Sequence, residues 1–221
     1  TDESFGIHPD TVLTGASMNK LPVIGYLYSL AAKKEIDLQE TVVIQKSDIQ
    51  DYGTGVIRYE KPGKTYTLQY LAQLALQKSD NTAAHVLNIR LGEDNIQAYA
   101  YRLGMSATNM VENDTSCRDI QTFFKMLYTN KIATPVLTKE MMGYMENTDF
   151  EDRIPRLLPR GLHIYHKTGD GINFIHDGGI VSNGKTPFIL VVTSSNLSDG
   201  DEAKETIGKI AESIFVGRGN K

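Results

Sequence analysis

"LHIYHKTGDGINFIHDGGIVSNGKTPFILVVTSS", residues 162–195, marks a change in the hydrophobic period of the chain. Upstream, apolar residues recur at helical spacing. Here Ile, Val and Phe collect in three short runs, "LHIYHKTG", "INFIHDGGIVS" and "TPFILVVTSS", which read as β-strands. "SNGK" (182–185) is a hairpin turn, because Asn-Gly accepts the positive φ values of a type I′ turn. Three consecutive strands so closely joined form an antiparallel meander.

Two other motifs lie in the same stretch. From Gly179 to Thr186 the chain matches G-x-x-x-x-G-K-T, the pattern of a phosphate-binding loop. That loop works only when a helix follows, since the helix N-terminus supplies the N–H groups that cradle phosphate. Pro187 and a strand-like run follow instead, so a nucleotide-binding protein is the remote alternative. His163, His166 and His176 invite a metal hypothesis. Residues three apart on a strand point to opposite faces, so His163 and His166 are poorly placed to chelate one ion. They are expected to be structural or surface histidines.

Working outward, residues 1–16 read as strand and turn. A helix is expected from Ser17 to Lys34, apolar around most of its circumference and therefore buried. Residues 46–66 are irregular and contain Gly and Tyr. A run of helical segments follows: "TLQYLAQLALQK" with Thr67 as N-cap, then "NTAAHVLNIRLG" and "EDNIQAYAYRLG". The last two stop at Gly92 and Gly104. "RDIQTFFKMLYTN" and "TKEMMGYMEN" complete the group, and "GDEAKETIGKIAESIF" closes the chain as an amphipathic helix. The expected architecture is α+β: an antiparallel sheet faced by the first and last helices, beside a helical subdomain. The boundaries fall at about 1–45 and 155–221 for the α/β part and 46–154 for the helical part, within one catalytic unit.

Bulk properties exclude several classes. The chain has 221 residues, net charge −4, 40% hydrophobic and 23% charged residues. No Lys/Arg cluster suggests nucleic acid, and no apolar run approaches the length of a membrane span. No signal peptide opens the sequence, as in a cytosolic protein or the mature form of a secreted one. The single cysteine, Cys117, excludes an internal disulfide, and its surroundings do not resemble an activating site for a thiol.

Chemistry enters with three short strings in order: "SMNK" (Ser17–Lys20), "SDN" (Ser79–Asn81) and "KTG" (Lys167–Gly169). Each alone is weak. All three in order have chance odds of roughly one in a thousand. The sequence resembles the class A β-lactamase and penicillin-binding protein superfamily, which carries this triple. The resemblance continues through "SDNTAAHVL", "DTSCRDI" and "LLPRGLHIYHKTGDG" and covers nearly the whole chain. It implies a serine hydrolase that forms an acyl-enzyme on a β-lactam or a D-Ala-D-Ala cell-wall peptide, outside the cytoplasm, without metal or organic cofactor. Ser17 is then the nucleophile and Lys20 its general base. Ser79 relays a proton to the leaving nitrogen, and Asn81 bonds Lys20 and a substrate amide. Lys167 and Thr168 hold a substrate carboxylate. Gly169 leaves room for an acyl group along the strand, and the N–H groups of Ser17 and Asp170 form the oxyanion hole. Lys20 requires a lowered pKa, which burial and the cation of Lys167 provide.

The pattern breaks in three places. The omega-loop motif E-x-x-L-N is missing: between Gly104 and Asp114 stands only "MSATNMVEN", where Glu112 is the sole carboxylate and the one candidate deacylation base. Deacylation is therefore expected to be slow, as in a penicillin-binding protein. An inactive binding module of the same fold is the further alternative. Asp170 stands where the family has small uncharged residues, and its charge repels an anionic substrate if it points inward. Finally, the family carries a helix and an inner strand ahead of the segment that starts here. Either such a portion is missing from this sequence or another segment covers the sheet edge.

Overall fold

The computed structural model describes residues 3–219. In chain order the elements are β1 (Leu13–Thr14), α1 (Lys20–Ala32), β2 (Thr41–Val43), β3 (Thr65–Thr67), α2 (Leu68–Gln77), α3 (Asn81–Leu91) and α4 (Glu93–Leu103). Then follow β4 (Asp114–Thr115), α5 (Cys117–Tyr128), α6 (Pro135–Gly143), β5 (His163–Gly171), β6 (Phe174–Ser182), β7 (Phe188–Val192) and α7 (Gly200–Gly217). The fold is α+β. β5, β6 and β7 form an antiparallel sheet in that order, and two short ribbons pair β1 with β4 and β2 with β3.

Period-two alternation gives the sheet two buried faces. Ile175 and Val181 of β6 join Leu190 of β7, Ile154, and Ile207, Ala211 and Phe215 of α7 in one apolar cluster. Ile180 points the other way, into the larger cluster built on α1, α2, α3 and α5. Four helices are capped as side-chain chemistry requires. Thr67, Asp80, Ser116 and Thr134 accept from backbone N–H groups at the starts of α2, α3, α5 and α6. Gly104 ends α4 in the left-handed conformation, φ 92°.

Three local expectations change. Helix α1 begins at Lys20, and Ser17 lies in a preceding 3-10 turn, Ala16–Asn19. Pro22 explains the offset, since its missing N–H falls in the first turn of α1, where no intrahelical donor is needed. Of residues 3–16 only Leu13–Thr14 are strand. The β6–β7 connection spans the six residues 182–187 between the paired Val181 and Phe188, rather than a two-residue turn. Asn183 holds it through its side chain, which accepts from the N–H groups of Lys185 and Thr186 at 2.9 Å each. The segment Gly179–Thr186 is thus strand and hairpin, with β7 after it, and offers no helix N-terminus to a phosphate.

The histidines act as structural ties. His176 Nε2 donates to the Thr14 carbonyl at 2.9 Å while its Nδ1 accepts from the Ser194 N–H at 3.2 Å. His166 is fully buried between carboxylates, with Nδ1 2.9 Å from Asp177 and Nε2 3.2 Å from Glu151. Asp177 also accepts from the Ile154 N–H at 3.0 Å, and the His166 N–H donates to the Met145 carbonyl at 2.9 Å. This network pins β5 and β6 to the 145–154 segment. Exposed His163 bonds Glu146 instead, on the opposite face.

Burial opposes the charge on His166, but Asp177 and then Glu151 outweigh it and raise its pKa from 6.5 to about 9. The folded protein therefore keeps a proton that the unfolded chain loses between those values. The resulting stability is fully present below pH 6.5 and lost as pH rises through about 9. Chemical denaturation of wild type and His166→Gln across pH 5–10 checks this. The stability difference is expected to shrink with rising pH, by on the order of 2–3 kcal/mol.

Candidate active site

The turn that carries Ser17 is held on three sides. Gly15 N–H donates to the Asn113 carbonyl at 2.5 Å, and Asn19 Nδ2 donates to Asn113 Oδ1 at 2.8 Å and the Asp114 carbonyl at 3.1 Å. Against β5 the fit is closer. A Cβ on Gly169 would lie 2.8 Å from the Gly15 carbonyl and 3.0 Å from Met18. Glycine is thus required there so that the turn bearing Ser17 can approach the strand. Ala16 takes φ +46°, a left-handed conformation unusual for a residue with a Cβ, immediately before the half-buried Ser17.

Lys20 and Lys167 approach the same hydroxyl. Lys20 Nζ donates to Ser79 Oγ at 3.2 Å, to Asn81 Oδ1 at 2.7 Å and to the Ser79 carbonyl. Lys167 Nζ donates to Ser79 Oγ at 2.9 Å and to the Thr168 carbonyl at 3.0 Å. Ser79 itself adopts φ +52°, which turns both its hydroxyl and its carbonyl toward Lys20. With both lone pairs of Oγ engaged, the hydroxyl proton remains available to an acceptor in the cleft.

Burial is the first cause of the depressed lysine pKa values. Lys20 falls well below 10.5, with the Lys167 cation adding to the effect and Asp80 opposing it. Lys167 falls to about 7; Asp170 and Asp177 oppose the shift and Arg153 adds to it. A lysine so placed can hold or release a proton near neutrality.

Asp80 and the irregular 51–59 region fix Ser79 and Asn81. Asp80 is fully buried and accepts from Val56 N–H at 2.6 Å, Ile57 N–H at 2.9 Å and Ala83 N–H at 2.9 Å. Thr54 donates from its hydroxyl to the Ser79 carbonyl at 2.7 Å, and the Asn81 Nδ2 donates to the Tyr52 carbonyl at 3.1 Å. Gly53 and Gly55, at φ +69° and +122°, let this loop lie directly on Asn81 and Asp80.

These groups border one cleft of about 560 Å³, lined by Ser17, Lys20, Ser79, Asn81, Thr168 and Asp170 among others. Lys167 stands behind the wall, 2% exposed. Asp170 is paired with Arg153, whose Nη2 donates to its carboxylate at 2.6 Å. Glu112 is not brought to the cleft. It is exposed, and its own loop contributes Met110 and Asn113 to the lining instead. Among the described residues no cluster of His, Cys, Asp and Glu is suited to a metal ion. Thr54 and Arg153 carry no signal in the sequence; Asp80 lies inside the S-D-N motif, but its capping and loop-holding role emerges only in the structure.

The helices around this antiparallel sheet, with the cleft at its edge, define the class: a β-lactamase-like serine hydrolase fold. The family model described as "Beta-lactamase enzyme family" matches residues 1–216, and the chain belongs to that family. Among curated proteins it is similar to β-lactamase BRO-1 of Moraxella catarrhalis, 20% identical over 87% of this chain and 69% of that protein. A β-lactamase of Bacteroides uniformis is 22% identical over 83% and 71% of the two chains. A solved β-lactamase structure from Sphaerobacter thermophilus DSM 20745 superposes with TM-score 0.94 at 25% identity, over 98% of this chain and 88% of that one. PBP-A, at 23% identity, superposes with TM-score 0.89 over 96% and 84%. Among the described residues no helix is long and apolar enough to cross a membrane.

The Asp80 carboxylate binds three backbone donors without solvent, so Asp80→Ala is expected to cost about 2–4 kcal/mol. Asp80→Asn should recover part of the loss. Urea denaturation of the three proteins checks both.

Proposed function

We propose that Ser17 is acylated by β-lactams, with Lys20 as general base, and that the acyl-enzyme is released slowly. The observation that carries this reading is the Ser79 hydroxyl held between Lys20 and Lys167 in the cleft that contains Ser17. In its neutral form Lys20 takes the Ser17 proton as Oγ attacks the lactam carbonyl. Ser79 then passes a proton to the departing nitrogen, with its oxygen recharged from the lysines on either side. The Ser17 and Asp170 N–H groups receive the developing oxyanion. Lys167, through its charge, and Thr168 draw the substrate carboxylate toward β5. Asn81 orients Lys20 and offers its remaining Nδ2 hydrogen to a substrate amide.

Slow release rests on the loop between α4 and β4. Hydrolysis of the ester needs a base positioned over a water, and this loop offers the cleft Met110 and Asn113, with Glu112 in solvent. The same observation favours a second reading, a penicillin-binding DD-peptidase acting on D-Ala-D-Ala peptides. Likeness to PBP-A supports it, and a PBP-A variant with leucine changed to glutamate was solved as an acyl-enzyme with penicillin G. Either activity belongs outside the cytoplasm, where β-lactams and cell-wall peptides meet the protein.

Intact-protein mass spectrometry after brief exposure to benzylpenicillin tests the reading. A covalent adduct that persists for minutes and is absent in Ser17→Ala is expected. Rapid hydrolysis without a trapped adduct overturns slow release, and no reaction of any kind overturns acylation itself.

The acylation rate is expected to be bell-shaped in pH. It climbs from the acid side as Lys20 gives up its proton, because only the neutral amine is a base. It falls above about pH 7 as Lys167 loses the charge that attracts the carboxylate. Stopped-flow rates from pH 5 to 9 check both limbs, and Lys167→Met should flatten the alkaline one.

A further inference from the structure

An aromatic ring stands beside Lys167 at the cleft wall. Phe150 lines the cleft, and Lys167 Nζ lies over its ring, 5.9 Å from the centroid. Lys167 itself is 2% exposed and donates to Ser79 Oγ and the Thr168 carbonyl.

The turn that carries Phe150 is tied to both stretches that present the Ser79–Lys167 contact. On one side Asp149 pairs with Lys78 at 2.6 Å, and its N–H donates to the Gln77 carbonyl at 3.2 Å. Lys78 immediately precedes Ser79. On the other side Glu151 lies 3.2 Å from His166 Nε2, and His166 immediately precedes Lys167. Thr148 closes the turn: its Oγ1 accepts from the Phe150 N–H at 3.1 Å and donates to Glu151 at 3.0 Å. The Lys78–Asp149 pair is exposed and adds little by itself. The fully buried His166 ring is the firmer anchor. The turn thus staples the α2–α3 connection to β5, and places a ring over the lysine between them.

An aromatic face attracts a cation within about 6 Å of its centroid. An aliphatic side chain of similar size excludes water but offers no such attraction. The other charges around Lys167 are Lys20 from α1, Asp170 on its own strand, Asp177 on β6 and Arg153 beyond the turn. Asp149 and Glu151, in the turn itself, are engaged by Lys78 and His166. With burial bringing Lys167 to about 7, a contact that favours the cation decides how much of it stays charged near neutrality.

We infer that Phe150 is a positioning residue that acts through Lys167: its ring holds the ammonium on Ser79 in the charged form that draws the substrate carboxylate. This inference rests on the proposed role of Lys167 and adds a residue that supports it.

A lysine-selective 13C NMR titration reads Lys167 directly, its signal identified by its loss in Lys167→Met. Two proteins remove the attraction and keep the bulk: Phe150→Leu, and one with pentafluorophenylalanine at position 150, in which the charge of the ring face is reversed. In both, the Lys167 midpoint is expected to fall by about half a pH unit. Phe150→Tyr keeps the face and should titrate as wild type. Acylation of Phe150→Leu by benzylpenicillin should accordingly be about threefold slower than wild type at pH 8 and nearly unchanged at pH 6. An unchanged or raised midpoint in either Phe150→Leu or the pentafluorophenylalanine protein overturns the inference. The titration involves no substrate, so failure of the Ser17 reading appears separately, as absence of the covalent adduct in the wild-type protein.

Discussion

Two lysine side chains donate to one serine hydroxyl, at 3.2 and 2.9 Å, and all three side chains are buried. Like charges at such range repel, and each loses its hydration on burial. The surroundings return part of that loss as acceptors: Asn81 Oδ1, the Ser79 carbonyl and the Thr168 carbonyl. The remainder appears as lowered lysine pKa values, which is the property a lysine base requires. Every acceptor comes from a different stretch of chain than the cations it serves, apart from the Thr168 carbonyl beside Lys167. The sheet, α1 and the α2–α3 turn must therefore be assembled before the lysines can be neutralised. The site and the fold depend on each other for that reason.

The geometry around this pair explains several residues with no other evident need. Ser79 in the left-handed region costs on the order of 1–3 kcal/mol of backbone strain. Asp80 offsets it by binding three backbone N–H groups next door. Gly169 lets the Ser17 turn rest on β5, and the His166–Asp177 pair fixes β5 from the other side. Lys167 is thus anchored by its neighbours in sequence as well as by its own contacts.

How much of this was legible follows from what each signal depends on. The helices with Thr67, Gly92 and Gly104 at their ends followed from local capping and periodicity, which do not need the rest of the chain. The β5–β7 meander followed from its β-branched runs. The hairpin loop did not, because Asn-Gly suits both a type I′ turn and an Asx-anchored loop, and the register of Val181 with Phe188 decides between them. Ser17 was placed inside a helix because propensity does not separate a 3-10 turn from a first α-turn. The lysines, Ser79 and Asn81 were named through a family motif. Their convergence on one hydroxyl is a tertiary fact, with 59 and 88 residues separating the two lysines from Ser79. Arg153 in "DRIPR" looks like any surface arginine, and only its 1% exposure distinguishes it.

The role of charge in the cleft then turns on which anions lie where. Asp177 is wholly buried and committed to His166 and the Ile154 N–H, so it acts as a fixed counter-charge. Asp170 is different in kind, because its side chain is partly in water and its partner is not. Exposed carboxylates keep their hydration and exchange partners at little cost, whereas a buried guanidinium must always be paired. The sheet thus carries two anions of different kind: one fixed by burial against His166, the other half in water and held at the cleft wall by a buried arginine.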